Sequence, residues 1–322
     1  MTSCIDARFL TCFTLPHPSD KDYHVTVKKF LLPLALLLSS NPASAAATIA
    51  LPHELAFHDC RGLICIDVAL DGADPRTLLL DTGNVNSILT TETAKALSWK
   101  LDAYLRDGKP APGLSTSGPH LVGTGPGASE AKFLVIDRKA FGDDPPPADG
   151  TLAYTFFKDR VLQIDYPQHR IRFSDVLTSS PAIISGPGKL SLITFGTKGP
   201  PIVVGSPFSV NGKSVRAQID TCYTGTLLVY DDALMSLGLK KIGKPEFFPD
   251  TDGGVTMLAA PARSLGFGSR EFSHEQPTIY FVGAGKNPVH QPDGLFEATV
   301  GNALFAHSVV TLDFHSMTMD VR

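Results

Sequence analysis

The chain has 322 residues, of which 43% are hydrophobic and 19% are charged, so it can bury a sizeable core and does not have the composition of a disordered protein. Its formal net charge is only -4 and it has no long run of lysine or arginine, which argues against nucleic acid as a partner. Its 28 glycines and 25 prolines are spread between short runs rich in Val, Ile, Leu and Phe. This pattern is typical of strands joined by tight turns, and it predicts a mainly β protein whose length suits two lobes.

The N-terminal segment has the three regions of a secretory signal peptide. Lys28 and Lys29 precede the apolar stretch 30–38, and the small residues Ala43-Ser44-Ala45 follow. We expect residues 1–46 to be an N-terminal extension and signal peptide, cleaved near Ala45, which predicts a periplasmic or secreted protein without a membrane contact after cleavage. The apolar stretch is too short to span a bilayer comfortably. A buried helix or an uncleaved anchor is the alternative.

Three cysteines follow that segment: Cys60, Cys65 and Cys222. Residues five apart on one extended strand are too far from each other for a disulfide, so a bridge between the first two needs a turn at Arg61-Gly62. The alternative is that both pack as small buried hydrophobes. No group of Cys and His residues has the spacing of a zinc site, and we expect neither a metal nor a cofactor.

A late block of the sequence occurs twice. Residues 150–173 resemble residues 298–321 at an offset of 148, the separation of Asp165 from Asp313. Both copies alternate apolar and polar residues and change character at a turn, which predicts a pair of strands in each copy. We expect the two matched aspartates to stabilise these turns or the edges of the lobes.

An earlier block is repeated as well. Residues 77–97 resemble residues 216–236, with Asp81 opposite Asp220 at an offset of 139. In both copies an apolar strand runs into Asp-Thr, a turn follows, a second apolar run returns and a short helix begins. A hairpin signal precedes each copy, Asp-Gly in the first half and Asn-Gly in the second. A duplicated lobe follows, with residues 47–178 and 179–322 as its two copies.

The matched aspartates indicate a specific chemistry. An approximate twofold axis would bring Asp81 and Asp220 together, where two like charges cannot both ionise comfortably, so the carboxyls would share a proton. One carboxylate then takes a proton from a trapped water while the protonated one donates to a substrate carbonyl, and an amide bond is hydrolysed without a covalent intermediate.

These motifs resemble those of the pepsin-like and retropepsin-like aspartic proteases, in particular bacterial exported members with two lobes. The resemblance covers most of residues 55–322 and rests on the segments LLDTG at 79–83, QIDTC at 218–222 and TVG at 299–301. It implies an all-β fold of two pseudo-symmetric lobes with a cleft between them and a few short helices. It also implies an aspartic endopeptidase that acts as a monomer on a peptide or an unfolded protein.

The resemblance further implies a role for each motif residue. Asp81 and Asp220 would be catalytic, and the hydroxyls of Thr82 and Thr221 would interlock beneath them with backbone groups of the opposite lobe. Gly83 would present its backbone N-H to a carboxylate in a crowded turn, and an apolar-apolar-Gly strand would close each lobe.

The sequence departs from the family pattern at four positions. Cys222 stands in place of the second motif glycine and adds bulk at a close-packed turn, although its N-H can still donate. Asn84 and Tyr223 occupy positions where the family often has a hydroxyl that reaches the outer carboxylate oxygen, and Ala153 replaces a glycine. These departures leave a second function open, a periplasmic module of the same fold that binds a peptide or polymer without cutting it.

The family also places a hairpin flap over the cleft. Residues 104–130 and 245–270 are the candidate segments, and Tyr104 and His120 are candidates to cover the site. The alternative is that both are polar residues of surface loops. The segment GTGPG at 123–127 is better explained as a turn than as a phosphate-binding loop, because no helix pattern follows it. No nucleophile elbow of a serine hydrolase is present in the sequence.

Overall fold

The computed structural model describes residues 54–106, 109–123, 129–141, 146–158, 160–174, 188–194, 201–248, 255–272, 278–282 and 296–322. Within these residues strands dominate, with three short α-helices and two 3-10 helices, which confirms an all-β fold with few short helices. The predicted extension and signal peptide, residues 1–46, lie outside the described residues. No helix in the described ranges combines the length and the apolar character needed to cross a membrane.

Where the structure describes it, the first half contains thirteen strands, two α-helices and one 3-10 helix. In chain order they are β1 (Leu55–Ala56), β2 (His58–Cys60), β3 (Leu63–Val68), β4 (Arg76–Asp81), β5 (Ser87–Thr90), α1 (Thr91–Ala96), β6 (Leu101–Arg106), β7 (Lys109–Thr116), β8 (His120–Val122), β9 (Ser129–Ala131), β10 (Phe133–Ile136), the 3-10 helix Arg138–Phe141, β11 (Gly150–Ala153), α2 (Tyr154–Phe157), β12 (Val161–Asp165) and β13 (Arg170–Ser174).

The second half contains twelve strands, one α-helix and one 3-10 helix among its described residues. They are β14 (Gly188–Thr194), β15 (Pro201–Val210), β16 (Lys213–Ile219), β17 (Leu227–Val229), α3 (Asp231–Leu234), β18 (Ile242–Phe248), β19 (Val255–Pro261), β20 (Leu265–Phe267), β21 (Arg270–Glu271), β22 (Thr278–Val282), β23 (Ala298–Val300), the 3-10 helix Asn302–Phe305, β24 (Val309–Asp313) and β25 (Thr318–Val321).

The two halves arrange equivalent strands in the same order. The first half has the order β3-β4-β11-β5-β10-β7-β6, and the second has β15-β16-β23-β17-β22-β19-β18. In each, the strand that leads to the motif aspartate pairs in parallel with the strand of the late repeat block, β4 with β11 and β16 with β23. This strand-by-strand match shows that the repeat in the sequence is a repeat of the fold.

The late repeat block joins the halves through one sheet. The β12–β13 hairpin of the first half pairs with the β24–β25 hairpin of the second, and Gln163 lies opposite Thr311. These two residues are 148 positions apart, which is the offset of the late repeat, and the Gln163 side-chain amide donates to Thr311 Oγ1 over 3.1 Å. Equivalent residues face each other in an antiparallel pair where a twofold axis passes between them, so an approximate twofold axis runs between Gln163 and Thr311.

The turns of these hairpins use the matched aspartates as predicted. The Asp165 carboxylate accepts the backbone N-H of Gln168 at 3.0 Å. The Asp313 carboxylate accepts the backbone N-H groups of His315 and Ser316, both at 2.9 Å. Aspartate favours turns because its short side chain can accept such bonds from the backbone that follows it. These acids therefore stabilise turns.

Strands β4 and β16 end in the interior. Leu78, Leu79 and Leu80 are consecutive and at most 1% exposed, so both faces of this part of β4 are covered. The matching strand β16 buries Ala217 and Ile219, but it has the polar Gln218 between them at 9% exposure. Both motif aspartates are thus reached through buried residues, and the halves differ chemically where Gln218 corresponds to Leu79.

The first described hairpin carries a disulfide. β2 and β3 pair antiparallel around a turn at Arg61-Gly62, where both residues have positive φ, 62° and 86°. Two positive φ values suit a tight hairpin turn, and they bring Cys60 and Cys65 to a Cα separation of 5.8 Å with a bond between their sulfurs. Of the two alternatives for these cysteines, the disulfide is therefore confirmed.

The expected boundary between the lobes, at residues 178 and 179, lies outside the described residues. β13 ends at Ser174 before it and β14 begins at Gly188 after it, and β14 continues the central sheet beside β25. The division into residues 47–178 and 179–322 stays a prediction.

Replacing both cysteines of the hairpin should destabilise the fold modestly. Because the closed loop is short, the variant Cys60→Ala/Cys65→Ala should lose about 2 kcal/mol of unfolding free energy. Urea denaturation of the variant and of the oxidised and reduced wild type measures this loss. An oxidised wild type no more stable than the reduced protein would show that the bridge does not constrain the unfolded chain.

Candidate active site

The two motif aspartates lie where the buried strands end. Asp81 is the last residue of β4 and is 3% exposed, and Asp220 follows β16 and is 4% exposed. A carboxylate oxygen of each and the Cys222 sulfur lie within 4.8 Å of one another. The structure therefore brings together two acids that are 139 residues apart in the chain, as the repeat predicts.

Two threonines interlock beneath the acids. Thr82 Oγ1 donates to the carbonyl of Ile219 at 2.8 Å and accepts the backbone N-H of Thr221 at 3.1 Å. Thr221 Oγ1 donates to the carbonyl of Leu80 at 2.6 Å and accepts the backbone N-H of Thr82 at 3.0 Å. Each bond has its equivalent at an offset of 139, so the arrangement obeys the same approximate twofold symmetry as the central sheet.

Backbone N-H groups orient both carboxylates. Asp81 Oδ1 accepts the N-H groups of Gly83 and Asn84, each at 3.0 Å. Asp220 Oδ1 accepts the N-H of Cys222 at 2.8 Å, and the N-H of Tyr223 also bonds to this carboxylate. The predicted N-H donors at Gly83 and Cys222 are therefore present, and both aspartates are held by equivalent backbone bonds.

Burial and mutual repulsion favour the protonated forms. Burial, followed by the negative charge of Asp220, raises the pKa of Asp81 to about 8. Burial raises the pKa of Asp220 to about 6, against the lowering effect of its two backbone N-H bonds. Because the carboxyls are close and poorly hydrated, a proton stays on the aspartate pair (Asp81 and Asp220) at pH values where ordinary carboxyls are ionised.

Gly83 and Cys222 are equivalent positions with different requirements. A Cβ on Gly83 would lie 2.3 Å from the Asp220 carboxyl carbon, so a side chain there would displace the acid. Cys222 is accommodated at the matching place, 1% exposed, in a small buried cluster with Leu79. The remaining members of this cluster are Cys60, Leu63, Cys65 and Ala148. The cluster lies beside the disulfide hairpin, so the extra bulk of Cys222 is taken up by apolar packing.

The other departures from the motif have local explanations. The Asn84 side chain accepts the backbone N-H of Val85 at 2.7 Å and so stabilises its own turn. The Tyr223 hydroxyl lies against Gly225, where an added Cβ would be 2.2 Å from it. Ala153 is fully buried and pairs with Asp81 across the parallel strands β11 and β4.

The flap candidates are partly described. β6–β7 and β18–β19 are antiparallel hairpins at matched places in the two halves, and residues 107–108 and 249–254 lie outside the described residues. His120 does not cover the site. It bonds to Asp71 at 2.6 Å and stacks on Trp99, next to the turn at the opposite end of β4 from Asp81. A role for Tyr104, half-buried on β6, stays a prediction.

Two supporting residues were not found by sequence reasoning. Gln218 Nε2 donates to the carbonyl of Gly83 at 3.1 Å, across the twofold axis. Asn302 Nδ2 donates to the carbonyl of Thr221 at 2.6 Å, and its Oδ1 accepts the Tyr166 hydroxyl at 2.9 Å. A polar residue inside an apolar strand was the available signal for Gln218, and for Asn302 it was the position directly after the apolar-apolar-Gly element.

Three donor atoms at the site have the spacing of metal ligands. They belong to Asp81, Asp220 and Cys222. A second group, His58 with Cys60 and Cys65, has two of its sulfurs in the disulfide. The expectation of no metal and no cofactor stays a prediction.

Comparison with known proteins finds a likeness in structure but no match in sequence. No family model matches the sequence, and neither does any curated protein. The chain is similar to the crystal structure of Basic 7S globulin from soybean at 11% sequence identity and a TM-score of 0.46, over 83% of this chain and 94% of that chain. A likeness this low carries no weight for function, whereas the geometry of the chain itself does.

Removing the Thr82 hydroxyl should lower the free energy of unfolding. Thr82→Val keeps the shape but leaves the Ile219 carbonyl and the Thr221 N-H buried without their partner, so we expect a loss of about 2 to 5 kcal/mol. Thr82→Ser retains the hydroxyl and is the matched control. Chemical denaturation measures both variants, and equal stability of the Val and Ser variants would contradict the role of these bonds.

The aspartate pair should make the fold less stable as pH rises. Both folded pKa values lie above the ordinary value of 3.8, so the folded state binds protons more tightly than the unfolded state does. The stabilisation that these protons give to the folded state is complete below about pH 4. That advantage is lost as pH rises through about 6 and then about 8.

The variant Asp81→Asn/Asp220→Asn isolates this effect from that of the other acids. The unfolding free energy of the variant minus that of the wild type should increase steadily between pH 4 and pH 8. A difference that is independent of pH would show that the two carboxyls titrate normally in the folded protein.

Proposed function

We propose that the protein is an aspartic endopeptidase that hydrolyses peptide bonds with a water activated by Asp81 and Asp220. The observation that carries this proposal is the pair of buried carboxylates held face to face across the approximate twofold axis by reciprocal threonine bonds. Two acids confined in this way cannot both be charged, so one is poised as a base and the other as an acid.

The proposed reaction uses each proton once. The ionised carboxyl removes a proton from a bound water, whose oxygen forms a bond to the carbonyl carbon of the substrate. The protonated carboxyl gives its proton to the carbonyl oxygen, which yields a tetrahedral diol. The pair then gives the proton it took from the water to the amide nitrogen, and the ionised pair takes a proton from one diol hydroxyl as the C-N bond breaks. The products are an amine and a carboxylic acid, and the aspartate pair is left again with one shared proton. Because the N-H donors are fixed in the backbone, little reorganisation accompanies these transfers.

Other features support the proposed oligomeric state, location and substrate. One chain supplies both aspartates, which supports activity as a monomer. The Cys60–Cys65 disulfide suits an oxidising compartment and supports a periplasmic or secreted location. An extended peptide or an unfolded protein is the proposed substrate, because a pair that acts on backbone amides needs an accessible main chain.

The decisive experiment is cleavage of an unfolded protein by the purified chain. We expect cleavage that pepstatin inhibits, and a loss of at least about 1000-fold in Asp220→Asn and in Asp81→Asn. Since both pKa values are raised, activity should be greatest at weakly acidic to neutral pH and should fall when the last shared proton leaves. Asp165→Asn, in a hairpin turn, is the matched control.

Two results would contradict the proposal. Undiminished cleavage by Asp220→Asn would remove the aspartate pair from the reaction. Binding of an unfolded protein by the wild type without any cleavage between pH 4 and pH 8 would instead favour the binding module of the same fold.

A further inference from the structure

The two sides of the aspartate pair differ chemically although the backbone is nearly symmetric. On one side the Gln218 amide bonds to the carbonyl of Gly83 at 3.1 Å, and Thr299 Oγ1 donates to Gln218 Oε1 at 3.4 Å. At the matching place on the other side Leu79 packs in the apolar cluster that contains Cys222. Gln218, paired with Thr299, thus corresponds to Leu79, paired with Thr151. The Cys222 sulfur lies within 4.8 Å of a carboxylate oxygen of each acid.

Two observations make Asp81 an acceptor of the Cys222 thiol. The sulfur lies within 4.8 Å of an Asp81 carboxylate oxygen, and a hydrogen bond from this side chain lowers the pKa of Asp81 against the stronger raising effects of burial and repulsion. The sulfur is also 3.7 Å from the carbonyl of Leu80, but that carbonyl already accepts the Thr221 hydroxyl at 2.6 Å. A thiol has one hydrogen and is a weak donor, so it is drawn to Asp81 once that carboxyl is ionised, because a charged acceptor competes better than a neutral carbonyl.

The turn that follows Asp81 holds this carboxyl through its backbone. Asp81 Oδ1 accepts the N-H groups of Gly83 and Asn84, and the Asn84 side-chain oxygen accepts the N-H of Val85. The thiol is a side-chain donor to this acid that comes from the opposite half of the chain.

We propose that Cys222 is a positioning residue of the aspartate pair, whose thiol donates across the twofold axis to Asp81 in place of a hydroxyl from the acid's own turn. The proposal rests on the proposed function for its catalytic consequence. Because only Asp81 receives this bond, the two acids are unequal, and loss of the donor destabilises the ionised form of the pair. The alternative is that Cys222 acts only by packing against Leu79 and the disulfide.

The substitutions Cys222→Ala and Cys222→Ser separate the two roles. Alanine removes the donor and suits an apolar cluster, whereas serine keeps a donor but places a polar group there. Leu63→Val is the matched control, because it trims the same cluster without touching a carboxylate. Thermal unfolding of all three variants verifies that they are folded.

The primary measurement is a ¹³C NMR titration of aspartate carboxyl groups, assigned with Asp81→Asn, which needs no substrate. We expect Cys222→Ala to raise the higher apparent pKa of the pair by about 0.5 to 1 unit, and neither Cys222→Ser nor Leu63→Val to raise it. If the protein cleaves peptides, the alkaline limb of its pH profile should move upward in the alanine variant alone, with kcat more affected than KM.

The proposal is overturned if the alanine variant titrates like the wild type, or if Leu63→Val shifts the pair as much as Cys222→Ala does. If the alanine variant does not fold, the serine variant tests the proposal alone. A value of the pair's higher pKa above that of the wild type would contradict the donor role, and a value equal to or below that of the wild type would support it. If the variants titrate as expected but the protein cleaves no peptide, the proposed function is refuted and the thiol contact is still supported.

Discussion

The site depends on the two threonine hydroxyls that cross the approximate twofold axis. Each hydroxyl satisfies a carbonyl and an N-H of the opposite half, at a depth where unpaired backbone groups are costly. The bonds therefore fix the ends of β4 and β16 against each other. Because Asp81 and Asp220 directly precede Thr82 and Thr221, the spacing of the carboxyls is set by backbone that cannot relax independently in either half.

That constraint explains why the carboxyls behave as one group. Separate surface acids would lower their repulsion by moving apart or by binding water, but these acids are buried and held by N-H donors in both turns. Sharing a proton is the remaining way to reduce the repulsion. The same rigidity gives each neighbouring side chain a defined position, which is why the Cys222 sulfur can act on Asp81 from the opposite half of the chain.

The repeat in the sequence contains most of this architecture. The offsets of 148 and 139 residues reappear as the Gln163–Thr311 contact and the threonine bonds, because symmetric pairing brings equivalent residues together. The sequence does not reveal which side chains cross the axis. Gln218 and Cys222 contact the opposite half because of the geometry of the turns near them. His120 pairs with Asp71 because the register of the strands brings these two residues together, whatever their distance in sequence from a motif.

The chemistry of the site depends on Asp81 and Asp220 holding one proton between them. Carboxyl titration of the single variants Asp220→Asn and Asp81→Asn measures this sharing, since each replaces one charge with a neutral group of the same shape. We expect the pKa of Asp81 to fall when Asp220 becomes Asn, because the repulsion that helps to raise it is gone. An unchanged pKa of Asp81 in that variant would show that the two acids titrate independently and do not share a proton.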